Sequence, residues 1–235
     1  MSDIYYIRAK DLADKNTLHQ FIYPNKTVNY YYSDDFSVSF YIKLAHAGFI
    51  SVSHTQDNTQ YLLPEMQFEY AILDFKDLHI SKKVKKILQT PHLYKFNITP
   101  KIKNVVEAIE NYHQENWIEK EYKKLLENLQ EYQHDTIDFE LFACELWCVK
   151  TEALISGEIG YRIHNTYTSL SGFTKKEKQY NNYGKLQMTL LCQYLEKNNY
   201  SFWNLGHPYM QYKKDMGAKV LSRQDFLARW VKAVN

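Results

Sequence analysis

The sequence predicts an α+β fold in which a mixed β-sheet is flanked by helices, with a small N-terminal α+β lobe. Two observations predict it: short apolar segments typical of strands recur along the whole chain, and amphipathic segments with helical spacing lie between them. At 235 residues, 45% hydrophobic and 24% charged, the chain suits one domain with a lobe or two small domains. We place the boundary near residue 75, so that residues 1–75 form the lobe and residues 76–235 the larger domain.

The N-terminal lobe is predicted to hold strands, a hairpin and one helix. Strands are expected at 4–8, 26–32 and 68–75, and a hairpin at 49–63 around Gln56-Asp57-Asn58. Ser33-Asp34-Asp35 can cap a helix over residues 36–47, which Gly48 would end.

Residues 81–90 predict a short helix with one strongly basic face. Val84, Ile87 and Leu88 share the apolar side of this segment, which Ser81 begins. The other side carries Lys82, Lys83, Lys85 and Lys86. This face is either merely solvated or contacts the phosphates of an anionic partner.

The larger domain is predicted to alternate strands and helices up to an organising stretch at 153–227. Strands are expected at 94–98 and 138–150, and helices at 100–113 and 121–133, the second with a stripe of Tyr122, Leu125, Leu126 and Leu129. The organising stretch reads as two strands joined by His164-Asn165, a helix over 181–198, a strand, and a final turn and helix. Gly157 and Gly160 predict a bulge, or a close approach of the backbone to a ligand, in its first strand.

Overall charge, cysteine spacing and the lack of a long apolar run argue against several classes of protein. Lysine and arginine exceed the acids by 29 − 27 = +2, so the overall charge does not indicate a nucleic-acid binder and only a local patch could. Cys144, Cys148 and Cys192 lack metal-ligand spacing and are expected to be reduced structural thiols. There is no apolar run of 18 residues and no signal-like N-terminus, so a cytosolic protein without a membrane partner is expected.

Six segments, taken in order, carry a resemblance to a known family. They are Tyr30-Tyr31-Tyr32-Ser33-Asp34, Leu78–Lys86, Asn116-Trp117-Ile118, Glu145-Leu146-Trp147, Asn182 with Lys185, and Met216-Gly217-Ala218 with Leu221–Leu227. Together they resemble the leucyl/phenylalanyl-tRNA–protein transferase family over residues 28–227, with an insertion near 55–70. The resemblance implies a GCN5-related acyltransferase-like fold for the larger domain.

The resemblance also implies an activity, partners and site residues. The family moves an apolar aminoacyl group from aminoacyl-tRNA to the N-terminal amine of a protein that begins with Arg or Lys, and uses no cofactor or metal; a monomer is expected. We assign substrate contacts to Tyr31, Tyr32, Ser33, Trp117, Trp147, Glu158, Leu170, Asn182 and Lys185. We assign tRNA contacts to Lys82, Lys83, Lys85 and Lys86. Ordinary packing is the competing interpretation for the tyrosines and for both tryptophans.

The chain departs from the family at its acidic positions. Aminolysis of an ester needs a proton acceptor and stabilisation of an oxyanion. The family's glutamate position falls on Leu170, which can bind neither a proton nor an arginine, and its aspartate falls on Asn204 or Leu205. His207 could take over proton transfer or could be a structural loop residue. We name Asn204 and His207 as the catalytic candidates and Glu158 as the nearest replacement acid.

Two other functions stay open at this point. A coenzyme A-dependent N-acyltransferase would share the fold, but only Gly184 lies between Thr174 and Lys185 where a glycine-rich pyrophosphate loop is expected. A catalytically inactive module that binds a protein or RNA partner would fit Leu170 and Asn204 together with the many tyrosines. A serine hydrolase is disfavoured because the chain has no Gly-x-Ser-x-Gly motif.

Overall fold

The computed structural model describes residues 4–113 and 117–235. The strands of this part of the chain are β1 (Tyr5–Tyr6), β2 (Tyr31–Tyr32), β3 (Ile50–Gln56), β4 (Thr59–Glu65), β5 (Glu69–Leu73), β6 (Tyr94–Thr99), β7 (Phe139–Cys148), β8 (Leu154–Ile163), β9 (Thr166–Thr174), β10 (Phe202–Asn204) and β11 (Lys219–Ser222). Its α-helices are α1 (Ala9–Ala13), α2 (Val38–His46), α3 (Lys82–Leu88), α4 (Lys103–Tyr112), α5 (Lys120–Leu129), α6 (Tyr183–Lys197), α7 (Gln211–Asp215) and α8 (Arg223–Val234). A π-helical turn covers Thr17–Ile22.

A seven-stranded mixed sheet forms the centre of the molecule. Its strand order is β11-β5-β10-β9-β8-β7-β6. The β10 and β9 strands run parallel, and the other neighbours are antiparallel. Helices cover the sheet, so the predicted α+β class with a mixed sheet flanked by helices is confirmed.

Alternation along the strands divides the core between the two faces of the sheet. On β5, Tyr70 and Ile72 pack into the larger core, whereas Ala71 and Leu73 pack into the smaller one. Successive side chains of a strand point to opposite faces, so a strand buried on both sides reads as one apolar run. The larger core includes apolar residues of α2, α4, α5 and α8, and α6 covers the opposite face.

Several predicted elements match the structure. The stripe of α5 is buried as expected: Tyr122, Leu125, Leu126 and Leu129. The β3–β4 hairpin turns at Asp57 and Asn58, both with positive φ. Gly48 ends the α2 region with φ +94°, a conformation that favours glycine.

The start of α2 and the strand predicted at 26–32 differ from expectation. Ser37, not Ser33-Asp34-Asp35, caps α2, and its Oγ accepts from the Phe40 amide at 3.4 Å. Of the predicted strand, Tyr31–Tyr32 form β2 and Tyr30 makes an isolated bridge to Glu65. At its start the Asn25 side chain accepts from the amides of Thr27 and Val28 and holds a turn instead.

The β5 strand joins the N-terminal region to the main sheet. It lies within residues 1–75, yet it pairs with β10 and β11. The buried Arg223, at the start of α8, also reaches this region, because its guanidinium donates to backbone carbonyls of Ile22, Asn25, Val28, Met66 and Gln67. The division into two domains at residue 75 stays a prediction.

Gly160 lies at a β-bulge between β8 and β9. The register shifts so that Ile159 pairs with Ser171 while Gly160 pairs with Ser169, which leaves Leu170 as the extra residue. A Cβ at Gly160 would lie 2.3 Å from the Tyr167 hydroxyl. The expected bulge is present, and the side chain closest to Gly160 is the Tyr167 ring.

Candidate active site

A cavity among the described residues lies beside β8 and β9, and residues from both faces of the main sheet line it. Its volume is about 560 Å³, within the range of small-molecule sites. Its walls come from β8, β9, the N-terminal turns of α6 and the segment 205–213, with Trp117 and His113 on a further side. Its apolar lining includes Trp117, Leu170, Phe173 and Met188.

Glu158 places a buried carboxylate in this cavity. The residue is only 5% exposed, and Ile159 beside it packs into the core on the opposite face. Oε1 accepts from the Ser169 hydroxyl at 2.7 Å and from the Tyr167 hydroxyl at 3.2 Å, and Oε2 accepts from the Gln187 amide at 3.2 Å. Burial raises the pKa of Glu158, and these hydrogen bonds oppose the rise.

Lys213 lines the same cavity with a buried ammonium group. Its Nζ donates to the backbone carbonyls of Leu205 at 2.5 Å and His207 at 2.7 Å. Burial lowers the pKa of Lys213 to about 8, and the charge of Glu158 partly offsets the shift. Opposite charges therefore border one cavity, and burial shifts the pKa of each group toward neutral pH.

A chain of donors fixes the Glu158 carboxylate from behind. The indole nitrogen of the buried Trp203 donates to Ser169 Oγ at 2.8 Å, and Ser169 donates onward to Glu158. Gln187, itself buried on α6, also contacts the Cys144 sulfur. Because each donor is held by a neighbouring strand or helix, the carboxylate is preorganised before any substrate enters.

Leu170 stands on the cavity wall at the position where the family has its glutamate. It is the unpaired residue of the β-bulge, one residue from the Ser169 hydroxyl that binds Glu158. Glu158, on the adjacent strand β8, lines the same cavity, and its role as the replacement acid stays a prediction.

Lys185 connects the cavity with the basic helix. Its ammonium pairs with Asp215 at 3.1 Å, and it lines both the main cavity and a smaller hollow of about 220 Å³ that Ser81 and Val84 also line. Val84 is buried on α3, while Lys82, Lys83, Lys85 and Lys86 are all exposed. Ser81 caps α3 as predicted, so the four lysines lie on a defined helix.

Asn204 and His207 lie outside the cavity lining. The buried Asn204 accepts from the Gly206 amide at 3.0 Å and shapes the turn after β10. The His207 ring lies 2.8 Å from Glu65 Oε2 and stacks on Tyr209. Their catalytic roles stay predictions, and among the described residues their side chains serve other contacts.

The predicted tyrosine platform is also separate from the cavity. Tyr31 is buried edge-on against Phe49, and the half-buried Tyr32 lies between Tyr6 and Tyr61. Ser33 is fully buried and exchanges backbone hydrogen bonds with Leu62 of β4. Substrate contact by Tyr31, Tyr32 and Ser33 therefore stays a prediction.

The remaining predicted residues divide between the cavity and other places. Trp117 lines the cavity and packs edge-on against Tyr122 at 5.1 Å, while Asn116 of the same motif lies outside the described residues. Trp147 donates to Glu145 at 2.9 Å beside a separate hollow. Asn182 precedes α6 with φ +72°.

Ser169, Gln187 and Lys213 are among the residues of this site that the sequence did not indicate. Gln187 lies in a segment whose apolar spacing predicts a helix, and Lys213 lies in the polar run Tyr212-Lys213-Lys214. No local pattern marks a lysine for burial, because lysine is seldom buried unless it is paired. The one signal in the sequence was for Gln187, a polar residue between the apolar residues Leu186 and Met188.

Metal and membrane features are absent from the part of the chain that the structure describes. In residues 4–113 and 117–235, no group of three or more His, Cys, Asp or Glu side chains could hold a metal ion. The three cysteines are free. No helix in these ranges is long and apolar enough to cross a membrane.

Comparisons with known proteins give a family and distant structural similarities. No curated protein matches the chain by sequence. L-PGS from Bacillus licheniformis is similar at 13% identity and a TM-score of 0.42, over 86% of this chain and 51% of that one, so the chain spans about half the length of this protein. FemX is similar at 11% identity and a TM-score of 0.47, over 90% of this chain and 76% of that one. Neither similarity assigns a function.

The family model for leucyl/phenylalanyl-tRNA protein transferase matches residues 72–231, which is more than half of the chain. The match includes β5, the basic helix α3, the cavity and the closing segment through most of α8. The chain therefore belongs to the leucyl/phenylalanyl-tRNA protein transferase family, whose members use aminoacyl-tRNA.

Proposed function

We propose that the protein transfers an apolar amino acid from aminoacyl-tRNA to the N-terminal amine of a protein. The observation that carries this proposal is the cavity, which combines an apolar wall with a buried carboxylate and a buried ammonium group. Aminolysis of an ester requires a place for the acyl side chain and polar groups at the reacting carbonyl. Family membership supplies the aminoacyl-tRNA donor.

The apolar wall suits the side chain of the transferred amino acid. Trp117, Leu170, Phe173 and Met188 offer aromatic and aliphatic surface. Burying a Leu or Phe side chain against such surface contributes about 1.5–3 kcal/mol. A charged side chain would lose its hydration there without a partner.

The tRNA is proposed to approach over α3. Four exposed lysines lie on this helix, and Lys185 borders both the cavity and the hollow beneath α3. Lysines act as point charges on phosphates and give binding that depends on salt. This arrangement would place the aminoacylated end of the tRNA at the cavity while its stem contacts the helix.

The acceptor protein is where this chain is expected to differ from its family. With Leu170 in place of the family's glutamate, that position offers no carboxylate to pair with the first side chain of an acceptor. Glu158 is surrounded by three donors and is less available for an incoming guanidinium. We propose that the acceptor needs a free terminal amine and that a cationic first residue is not required.

Transfer of labelled Leu or Phe from charged tRNA to synthetic peptides tests this function. The peptides would differ only in their first residue (Arg, Lys, Leu, Met or Asp), with N-acetylated copies as controls. Transfer to free but not acetylated termini is expected. Tight tRNA binding without transfer to any peptide would overturn the proposal and favour a binding module. Acylation from acetyl-coenzyme A instead would overturn it in favour of a coenzyme A-dependent acyltransferase.

A further inference from the structure

Glu158 and Lys213 each keep one hydrogen-bonding position unused by the described residues. A carboxylate offers about four acceptor positions and an ammonium three donors. Glu158 receives three hydrogen bonds, two on Oε1 and one on Oε2, so a position on Oε2 is left. Lys213 donates two, to the carbonyls of Leu205 and His207, so one N–H is left.

Both spare positions belong to residues that line the same cavity. Glu158 lies on β8 and Lys213 on α7, and the two groups influence each other electrostatically without forming an ion pair of 4 Å or less among the described residues. A purely structural pair would be expected to neutralise each other in direct contact, since burying two charges apart costs free energy. Here each charge is instead satisfied almost completely by other groups.

We infer that Glu158 is the proton acceptor and Lys213 the oxyanion donor of aminoacyl transfer in this chain. The inference rests on the proposed function and names the groups that would replace the acids missing at Leu170 and Asn204. A free acceptor position and a free donor position that border one cavity suit the addition of an amine to an ester carbonyl.

The chemical step balances without any further reactant. The neutral terminal amine attacks the ester carbonyl, its nitrogen–carbon bond forms, and the carbonyl oxygen takes up the electron pair next to the Lys213 ammonium. The amine proton passes to the Glu158 carboxylate. The bond from carbon to the ribose oxygen then breaks, the carbonyl re-forms, and Glu158 returns the proton to the leaving ribose hydroxyl.

The environment of the two groups supports these roles near neutral pH. Burial raises the pKa of Glu158, which makes its carboxylate a stronger base than an exposed one, and Lys213 has a pKa of about 8. The reaction needs Glu158 deprotonated and Lys213 protonated, so the rate should rise with pH through the first pKa and fall through the second. The other titratable groups around the pair are Cys144 on β7, Tyr167 on β9, Tyr212 on α7, and Tyr112, His113 and Lys185 on the cavity wall.

Single-turnover transfer from Leu-tRNA to an accepted peptide, measured from about pH 5.5 to 9.5, tests the inference. Glu158→Gln is expected to lower the rate by about 10²–10⁴. The rise of its rate with pH should also be less steep than in the wild type, because only deprotonation of the acceptor amine then remains to cause it. Lys213→Met is expected to lower the rate by about 10²–10³ and to remove the decline near pH 8. Glu196→Gln, an exposed carboxylate on the same α6 helix as Gln187, serves as the matched control and should retain the wild-type rate.

The rates of the two variants test the roles of Glu158 and Lys213, and the activity of the wild-type protein tests the proposed function. Rates of Glu158→Gln or Lys213→Met within a few-fold of wild type, or pH profiles unchanged in shape, would overturn the inference while the proposed function stands. Absence of transfer by the wild-type protein would overturn the proposed function, and the inference with it. Thermal melting and tRNA binding of each variant separate folding from chemistry. If Glu158→Gln does not fold, Glu158→Asp replaces it: a reduced rate that keeps the steep acidic limb supports the inference, and a full rate overturns it.

Discussion

The Gln187 side-chain amide, on α6, lies 3.2 Å from Oε2 of Glu158, on β8. This hydrogen bond crosses from the helix to the sheet at the floor of the cavity and favours the charged form of a buried carboxylate. It makes Gln187 a positioning residue, because it touches Glu158 rather than a reacting atom.

Replacing Gln187 by Leu should shift the pH dependence of transfer. Loss of the donor raises the pKa of Glu158 further, so less of the carboxylate is available at a given pH. The acidic limb of the rate profile should therefore move to higher pH, with a larger loss of rate at pH 6 than at pH 8. The exposed Gln193 on the same helix provides a control, and Gln193→Leu should leave the profile in place. Superimposable profiles for Gln187→Leu and wild type would contradict this role.

Charge reversal on α3 should weaken tRNA binding and its salt dependence. Lys82→Glu combined with Lys83→Glu removes two exposed cations, and if both contact phosphates the slope of log K against log salt should fall by about 1 to 2. Ser81 still caps the helix, so the fold should be unaffected. Lys10→Glu with Lys15→Glu, two exposed lysines near the N-terminus, makes an equal charge change as a control. Equal tRNA affinity for both double variants would contradict a role for α3.

Arg223 should be essential for attaching the N-terminal region. The residue is 5% exposed. Its guanidinium donates to five backbone carbonyls, including those of Ile22 and Val28, and lies over the Phe68 ring at 4.6 Å. A lysine has three donors without the planar geometry, so Arg223→Lys should lower the free energy of unfolding by about 2–4 kcal/mol. Denaturant unfolding measures this.

The control for Arg223 is Arg229→Lys. Arg229 pairs with Asp74 at a partly exposed site, where an ion pair contributes about 1 kcal/mol or less. If both substitutions cost the same, Arg223 does not have the structural role that its contacts indicate.

Gly160→Ala should destabilise the bulge that shapes the cavity wall. A Cβ there would lie 2.3 Å from the Tyr167 hydroxyl and 2.5 Å from the Thr168 carbonyl oxygen. Such crowding costs about 1–3 kcal/mol, and a displaced Tyr167 would lose its hydrogen bond to Glu158. Thermal melting should show the loss of stability, and transfer activity should fall with it.

Adding Tyr167→Phe to Gly160→Ala distinguishes the two sources of crowding. The hydroxyl is removed, but the ring carbon at 2.4 Å and the backbone carbonyl remain, so recovery should be small. Full recovery would show that the hydroxyl alone excludes a side chain at this position.

The sequence by itself determined the features that depend on local pattern. Apolar periodicity predicted the buried stripe of α5, the Asp57-Asn58 turn predicted the β3–β4 hairpin, and Ser81 predicted the start of α3. The motifs at 78–86 and 216–227 pointed to the family. These features could be predicted because residues near each other in the chain fix them.

Only the tertiary structure decided which groups meet in the cavity. Glu158 and Lys213 are far apart in the chain, and Leu170 faces the cavity because a bulge removes it from the strand pairing. The burial that shifts the pKa of both groups comes from elements packed around them, so no local pattern encodes it. The same packing places Asn204 in a buried turn and His207 beside Glu65. These two residues, which the sequence predicted to be catalytic, therefore do not line the cavity.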